Sequence, residues 1–81
     1  VARPAADIPA VRTAPLRAAL GLTAAEAEIA LRLANGEARE EIATTRGTSP
    51  QTLGTQIKSI LRKSDVGREA ELAALVNRLL R

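Results

Sequence analysis

The feature that most constrains the fold is a helical spacing of aliphatic residues between residues 49 and 63. These aliphatic residues recur at i, i+4, i+7 and i+8, and they are Leu53, Ile57, Ile60 and Leu61. Such a spacing places them on one face of an α-helix. Ser49 is a favoured N-cap and Pro50 suits the first helical position. The sequence therefore predicts a helix over about 50–63 that buries one face and exposes the other.

The opposite face of this helix is polar and has no acidic residue. Its side chains are Gln51, Thr52, Thr55, Gln56, Lys58, Ser59, Arg62 and Lys63. Hydroxyl, amide and cationic groups can donate to phosphates and to base edges. An ordinary surface helix mixes both signs of charge, whereas this one does not. This face favours a recognition helix for double-stranded DNA.

Two shorter helices are predicted before it. Thr23 and Glu26 have the spacing of a capping box, and the pair Asn35-Gly36 ends the helix that they begin. A short helix over about 38–46 is followed by Gly47, at a position that requires a positive φ. Two helices joined by a short turn that contains glycine make a helix-turn-helix. An αα-hairpin with no ligand has the same pattern, so this spacing alone is only moderately specific.

The last predicted helix begins at about Gly67 or Arg68 and runs to Leu80. Its apolar sector is wider than one contact with a core requires. Two interpretations stay open: a terminal helix with spare leucines, or the seam of a homodimer. The residues of the dimer interpretation are Ala73, Leu75, Val76, Leu79 and Leu80.

The start of the chain has a different composition. Residues 1–15 contain Pro4, Pro9 and Pro15 among alanines and arginines, which predicts an extended, flexible linker. Residues 16–20 are predicted to form a short helical turn that Gly21 ends. The expected organisation is a linker over 1–15 and an all-α, four-helix domain over 16–81.

Composition excludes several functional classes. The chain has no Cys and no His, which excludes zinc fingers, thiol chemistry and His-based catalysis. It has no aromatic residue with which to stack single-stranded bases. Glu26 and Glu28 fit helix capping and solvation better than acid–base catalysis, and the sequence has no phosphate loop. We therefore expect no enzyme, no catalytic residue, no metal and no cofactor.

Charge and hydropathy bear on partners and location. The net charge of +3 permits an acidic polymer as the partner. No apolar run is long enough for a membrane span, and no signal peptide is recognisable. The expected location is the cytoplasm, with no membrane partner.

Four consecutive stretches together resemble the LuxR-type helix-turn-helix domain of bacterial transcription regulators. They are LTAAEAEIALRLANG (22–36), EEIATTRGTS (40–49), QTLGTQIKSILRK (51–63) and the V-G-R-E-A-E-L of 66–72. The resemblance implies a four-helix domain whose third helix enters the major groove and whose fourth helix often mediates dimerisation. It also implies an upstream sensory or receiver domain, to which the linker would be the tether.

The family's recognition helix usually reads S-x-x-T-V-K-x-H, or the same with Arg for Lys. The resemblance implies that Thr52 contacts phosphate and that Thr55 and Lys58 face the groove. Gln56 replaces the usual His. Gly54 stands where Lys or Arg is expected, which costs a helix about 0.5–1 kcal/mol relative to Ala and removes one contact.

We expect Thr52, Arg62 and Lys63 to hold phosphates, while Gln51, Thr55 and Lys58 read base edges. The full set of expected DNA-binding residues is Gln51, Thr52, Gly54, Thr55, Gln56, Lys58, Arg62 and Lys63. The expected function is sequence-specific binding of double-stranded DNA as the C-terminal effector domain of a bacterial transcriptional regulator, paired as a homodimer on DNA.

Two alternatives accompany this expectation. One is a helical protein-interaction or dimerisation module with weak or lost DNA binding, which Gly54 favours. The other is the promoter-binding domain of a sigma factor, which shares the helix-turn-helix but does not normally need the link at residues 66–68 and a long apolar fourth helix. Binding to random duplex DNA at low salt separates the first alternative from a DNA reader.

Overall fold

The structure, a computed structural model, describes residues 10–80. Every regular element in that range is a helix, so the all-α prediction is confirmed for the described part of the chain. The helices are α1 (Ala10–Leu20), α2 (Ala24–Ala34), α3 (Arg39–Arg46), α4 (Pro50–Ser64) and α5 (Glu69–Leu79). None of them has the combination of length and apolar character that crossing a bilayer requires.

The predicted caps at the starts of α2 and α4 are confirmed. At α2, the amide of Glu26 donates to Thr23 Oγ1 at 3.1 Å, and the amide of Thr23 donates back to Glu26 Oε1 at 2.9 Å, which completes the capping box. At α4, Ser49 Oγ accepts from the amide of Thr52 at 3.1 Å, and Pro50 is the first helical residue. These caps fix where the two helices begin and hence which faces they bury.

Each of the first four helices is followed within two residues by a residue in the left-handed backbone conformation. Gly47 ends α3 with φ 67°, as predicted, and its amide donates to the carbonyl of Thr44 at 3.2 Å. Asp65 ends α4 with φ 58° and is the one non-glycine residue of 10–80 in that region. Both ends carry the paired backbone hydrogen bonds of a Schellman motif.

The core is aliphatic and is shared by all five helices. α2 lies at its centre and packs against each of the other four helices. The buried apolar residues are Leu16, Leu22, Ala27, Ile29, Ala30, Leu31, Ile42, Ala43, Leu53, Ile57, Ile60, Leu72 and Val76. The predicted inward face of α4 is confirmed for Leu53, Ile57 and Ile60, while Leu61 is only partly buried.

The linker prediction is wrong for residues 10–15. These residues form the first half of α1, with Pro15 inside the helix, so the described chain has five helices rather than four. Thr13 is 4% exposed and Leu16 is fully buried, and α1 packs on α2 and α5. Burial of this face outweighs the unfavourable propensity of proline. Residues 1–9 of the predicted linker lie outside the described residues.

The dimer seam predicted on α5 needs a correction at Val76. This side chain is completely buried in the domain's own core. It lies one turn after the equally buried Leu72, on the same face of α5. Leu79 and Leu80 are also packed against the core and are only partly exposed. Val76 therefore serves the fold of the monomer and is not available to a second copy.

Candidate nucleic-acid interface

α4 is fixed against the domain by its buried side, which leaves its other side outward. Leu53, Ile57 and Ile60 are each no more than 1% exposed. α3 packs on α2 and α4, and a turn of three residues, 47–49, joins α3 to α4. Because α4 is anchored along its whole length, the orientation of its polar face is set by the core.

Four side chains form a continuous exposed row along α4, which we call the outer row. Its members, at i, i+4, i+7 and i+11, are Gln51, Thr55, Lys58 and Arg62, and all four are exposed. At 1.5 Å per residue the row is roughly 16 Å long. Within residues 10–80, Lys58 and Arg62 take part in no ion pair. The outer row therefore offers two uncommitted cations together with an amide and a hydroxyl.

The hydroxyl groups at the start of α4 are exposed but already tied to the helix. Thr55 Oγ1 donates to the carbonyl of Gln51 at 3.2 Å. Thr52 Oγ1 lies 2.9 Å from Ser49 Oγ, and both residues are exposed. A hydroxyl that donates within its own helix keeps its acceptor lone pairs, whereas an outside acceptor must compete for its proton.

Lys63 does not point outward as a free cation. Its Nζ donates to Glu26 Oε1 of α2 at 2.8 Å, and its side chain is 36% exposed. Glu26 Oε2 also accepts from Ser59 Oγ of α4 at 3.0 Å. In this arrangement Lys63 and Ser59 hold α4 against α2, and Lys63 is the predicted phosphate ligand that the structure gives a different role.

The environment of Glu26 alters its acidity. Burial raises the pKa of this carboxyl, but hydrogen bonds from Lys63, from the amide of Thr23 and from Ser59, together with the charge of Lys63, outweigh burial and lower the pKa to about 2. Glu26 is therefore an ionised anchor at neutral pH.

Gln56 also departs from its predicted role. The residue is partly buried, and its Oε1 is inaccessible to solvent with no hydrogen-bond partner among the described residues. Ser59 and Lys63 follow it at i+3 and i+7, so Gln56 shares the side of α4 that those two residues turn toward α2. The amide oxygen of Gln56 is thus not presented to an incoming groove.

Gly54 lies beside the outer row, where α3 comes close to α4. Among the described residues, and apart from the backbone of α4 itself, the one atom within 4 Å of a Cβ placed on Gly54 would be Nη1 of Arg39, at 4.0 Å. Arg39 Nε donates to Glu69 Oε2 of α5 at 2.8 Å, and Nη2 donates to the same oxygen. The missing side chain at position 54 therefore leaves a space that a guanidinium from another helix borders.

A second ion-pair network lies at the junction of α2 and α3, and it corrects the expectation that Glu28 is simply solvated. Arg46 Nη1 donates to Glu28 Oε1 at 2.7 Å, and Arg32 Nη2 donates to Glu28 Oε2 at 3.1 Å. Arg32 Nη1 also donates to Glu37 at 3.3 Å. Glu28 and Arg32 both lie on α2 at i and i+4, a spacing that favours an ion pair. Sequence patterns do not reveal the pair of Arg46 with Glu28 or that of Arg39 with Glu69, because those partners come from different helices.

The side of α3 that carries Glu40 and Glu41 has the opposite charge to α4. An open cleft of about 510 Å³ is lined by Arg32, Glu37, Glu40, Glu41, Thr44 and Thr45. Its carboxylates would repel phosphates, so this side of α3 is the less favourable approach for a nucleic acid. Within residues 10–80, no group of acidic side chains is arranged to hold a metal ion.

Comparison of the chain with protein-family models, with curated proteins and with solved structures finds no match.

Proposed function

We propose that the domain binds double-stranded DNA by placing α4 in the major groove, as a helix-turn-helix domain of the LuxR type in a bacterial transcriptional regulator. α3, the turn at 47–49 and α4 form the helix-turn-helix unit. The observation that carries the proposal is the outer row, where two neutral polar side chains and two cations that form no ion pair within residues 10–80 follow one exposed face of α4 without an acid.

The roles within α4 divide by chemistry. Lys58 and Gln51 reach base edges, since an ammonium suits guanine and an amide suits adenine. Arg62 and the exposed Thr52 hold phosphates and set the register of the helix in the groove. Lys63 and Ser59 act indirectly, because they fix α4 on α2 through Glu26.

A pair of domains would read two half-sites about one helical turn apart. The partly exposed residues of α5, Leu75 above all, offer the apolar surface for such pairing, whereas the buried Val76 does not. The upstream sensory or receiver domain belongs to the same proposal.

Salt-dependent titration of duplex DNA tests the proposal. Anisotropy of a labelled random-sequence duplex gives the slope of log K against log[salt]. The steepness of this slope falls by about 0.9 for each phosphate that the protein no longer neutralises. Arg62→Ala removes the outer-row cation assigned to phosphate, and it is expected to weaken binding and to make the slope shallower by about one unit.

The matched control is Arg17→Ala. Arg17 is an exposed cation on α1, which packs on α2 and α5. Its removal changes the net charge by the same amount and should leave the slope unchanged. If the unmodified domain shows no binding to duplex DNA at low salt, the proposed function is wrong and the protein-interaction alternative is favoured. Equal slopes for the Arg62 variant and the unmodified domain would remove Arg62 from the interface.

A further inference from the structure

The cations of α4 are all in its second half. Lys58, Arg62 and Lys63 follow Ile57, and the first two turns of the helix contain only neutral side chains. A helix lying in a groove passes phosphates along its whole length, so the first half of α4 needs a cation from elsewhere if it is to be held equally well.

Arg39 of α3 is the cation that the fold brings to this end of α4. Its Nη1 lies 4.0 Å from the position of a Cβ on Gly54. At 3.6 residues per turn, Gly54 is roughly 40° around α4 from Lys58, which places it at the edge of the outer row. The side chain of Arg39 is 53% exposed, so its guanidinium borders solvent beside this row.

Glu69 holds this guanidinium while leaving some of its donors unused. Nε and Nη2 of Arg39 both donate to Glu69 Oε2, while Nη1 has no hydrogen-bond partner among the described residues. A guanidinium has five N–H donors in a rigid fork, so two can orient the group while the others bind an acceptor. The side of Arg39 nearest Gly54 is therefore the side with unused donors.

We propose that Arg39 is a phosphate-binding residue of the interface, which supplies across Gly54 the positive charge that α4 lacks in its first half. Glu69 is its positioning residue. The inference rests on the proposed function and adds to it a residue from α3 and a reason for glycine at position 54: a long side chain there would compete with Arg39 for the same space and the same phosphate.

The test is a cycle of four proteins in the same salt titration of a random-sequence duplex: the unmodified domain, Arg39→Gln, Gly54→Lys and the double variant. Arg39→Gln should make the slope of log K against log[salt] shallower by about one unit. Between about 50 and 200 mM salt, the affinity of this variant should therefore fall by a factor that is roughly 3.5 times smaller than the factor for the unmodified domain. The double variant should recover the original slope. Gly54→Lys alone should make the slope steeper by less than half a unit, because Arg39 already binds the phosphate that the new lysine would reach.

Two controls separate a DNA contact from a change in charge or in folding. Arg17→Gln removes the same charge from α1 and should leave the slope unchanged. Arg39→Lys keeps the charge but not the fork, and it should retain the slope even if it alters stability, which circular dichroism of each variant measures. A purely structural pair between Arg39 and Glu69 would move stability and not the salt slope.

The inference is overturned if Arg39→Gln has the slope of the unmodified domain. It is also overturned if Gly54→Lys makes the slope steeper by a full unit both in the unmodified domain and in the Arg39→Gln variant. The new lysine and Arg39 would then bind two independent phosphates. In both cases the unmodified domain still binds DNA, so the proposed function survives. Absence of any binding by the unmodified domain overturns the proposed function and this inference together.

Discussion

At the scale of single residues, the junction of α2 with α4 depends on one carboxylate. Glu26 is 8% exposed and accepts hydrogen bonds from Thr23, Ser59 and Lys63. A buried carboxylate without such donors would be strongly unfavourable. Here the same group caps α2 and holds the helix that carries the outer row, so its protonation state affects both.

The lowered pKa of Glu26 predicts a pH dependence of stability. The carboxyl has a pKa of about 2 in the fold against 4.5 as its ordinary value. Its contribution is therefore complete above about pH 4.5 and is lost as the pH falls toward about 2. We expect a loss of about 1–2 kcal/mol over that window, less than the full pKa difference implies, because water screens the partly exposed Lys63.

Urea denaturation across this pH range measures the effect. Glu26→Gln should unfold more easily at neutral pH and should lack this part of the acid dependence. Glu40→Gln is the matched control, because Glu40 is exposed and has no ion pair among the described residues. Parallel curves for Glu26→Gln and the unmodified domain would contradict the prediction.

The end of α4 carries a second residue-scale prediction, at Asp65. This residue has φ 58°, which costs an L-residue energy, and its carboxylate lies at the negative end of the helix dipole. Asp65→Gly should therefore raise the free energy of unfolding by about 0.5–1 kcal/mol. Gly47→Ala adds a Cβ at the equivalent left-handed position after α3, and it should lower the free energy of unfolding by about 1–2 kcal/mol. Denaturation of both variants checks the pair; destabilisation by Asp65→Gly would refute the strain account.

At the scale of elements, the most predictable helices are those whose ends are determined locally. The caps at Thr23 and Ser49 and the left-handed turn at Gly47 depend on groups within a few residues, and all three are confirmed. The first half of α1 could not be predicted in this way. Proline disfavours a helix locally, whereas the compensating burial of Thr13 and Leu16 comes from α2 and α5.

The candidate site, too, could be predicted from the sequence only where its features depend on local spacing. Periodicity alone placed the outer row on the exposed face of α4, since it needs only the positions of the aliphatic residues. It could not reveal that Lys63 turns to Glu26 or that Arg39 borders Gly54, because these contacts join residues more than 30 positions apart or on different helices. Charge composition gives the sign of a face and not which of its cations are already paired.

The interior proline of α1 gives an element-scale prediction. Pro15 is exposed, and its ring removes the amide that would donate to the carbonyl of Val11. Pro15→Ala should restore that hydrogen bond and stabilise the domain by about 1–2 kcal/mol, after allowing for the greater freedom of the unfolded chain. Thermal denaturation measures the gain.

Pro50→Ala is the matched control, because Pro50 is the first residue of α4, where proline removes no helical hydrogen bond. This variant should be neutral or slightly less stable. If Pro15→Ala leaves the stability unchanged, the helix does not continue through residue 15. That result would favour the linker interpretation of residues 10–15.

At the scale of the whole molecule, a small aliphatic core has to hold five helices in place. Its fully buried large side chains are Leu16, Ile29, Ile42, Leu53, Ile57, Ile60, Leu72 and Val76, and they come from every helix. A domain of this size buries a smaller share of its surface than a large one, so its stability is modest and each of these side chains matters. α1 belongs to this core, and the folded unit therefore includes residues 10–15 as well as residues 16–80.

This enlarged domain boundary predicts a sharp contrast within α1. Leu16 is fully buried, and Leu16→Ala should lower the free energy of unfolding by about 2–5 kcal/mol through reduced burial and the cavity left behind. Val11 on the same helix is 77% exposed, and Val11→Ala should change stability by less than about 0.5 kcal/mol. Urea denaturation of the two variants gives the comparison directly. If both substitutions were equally mild, α1 would not be part of the cooperative unit that holds α2 and, through it, the outer row of α4.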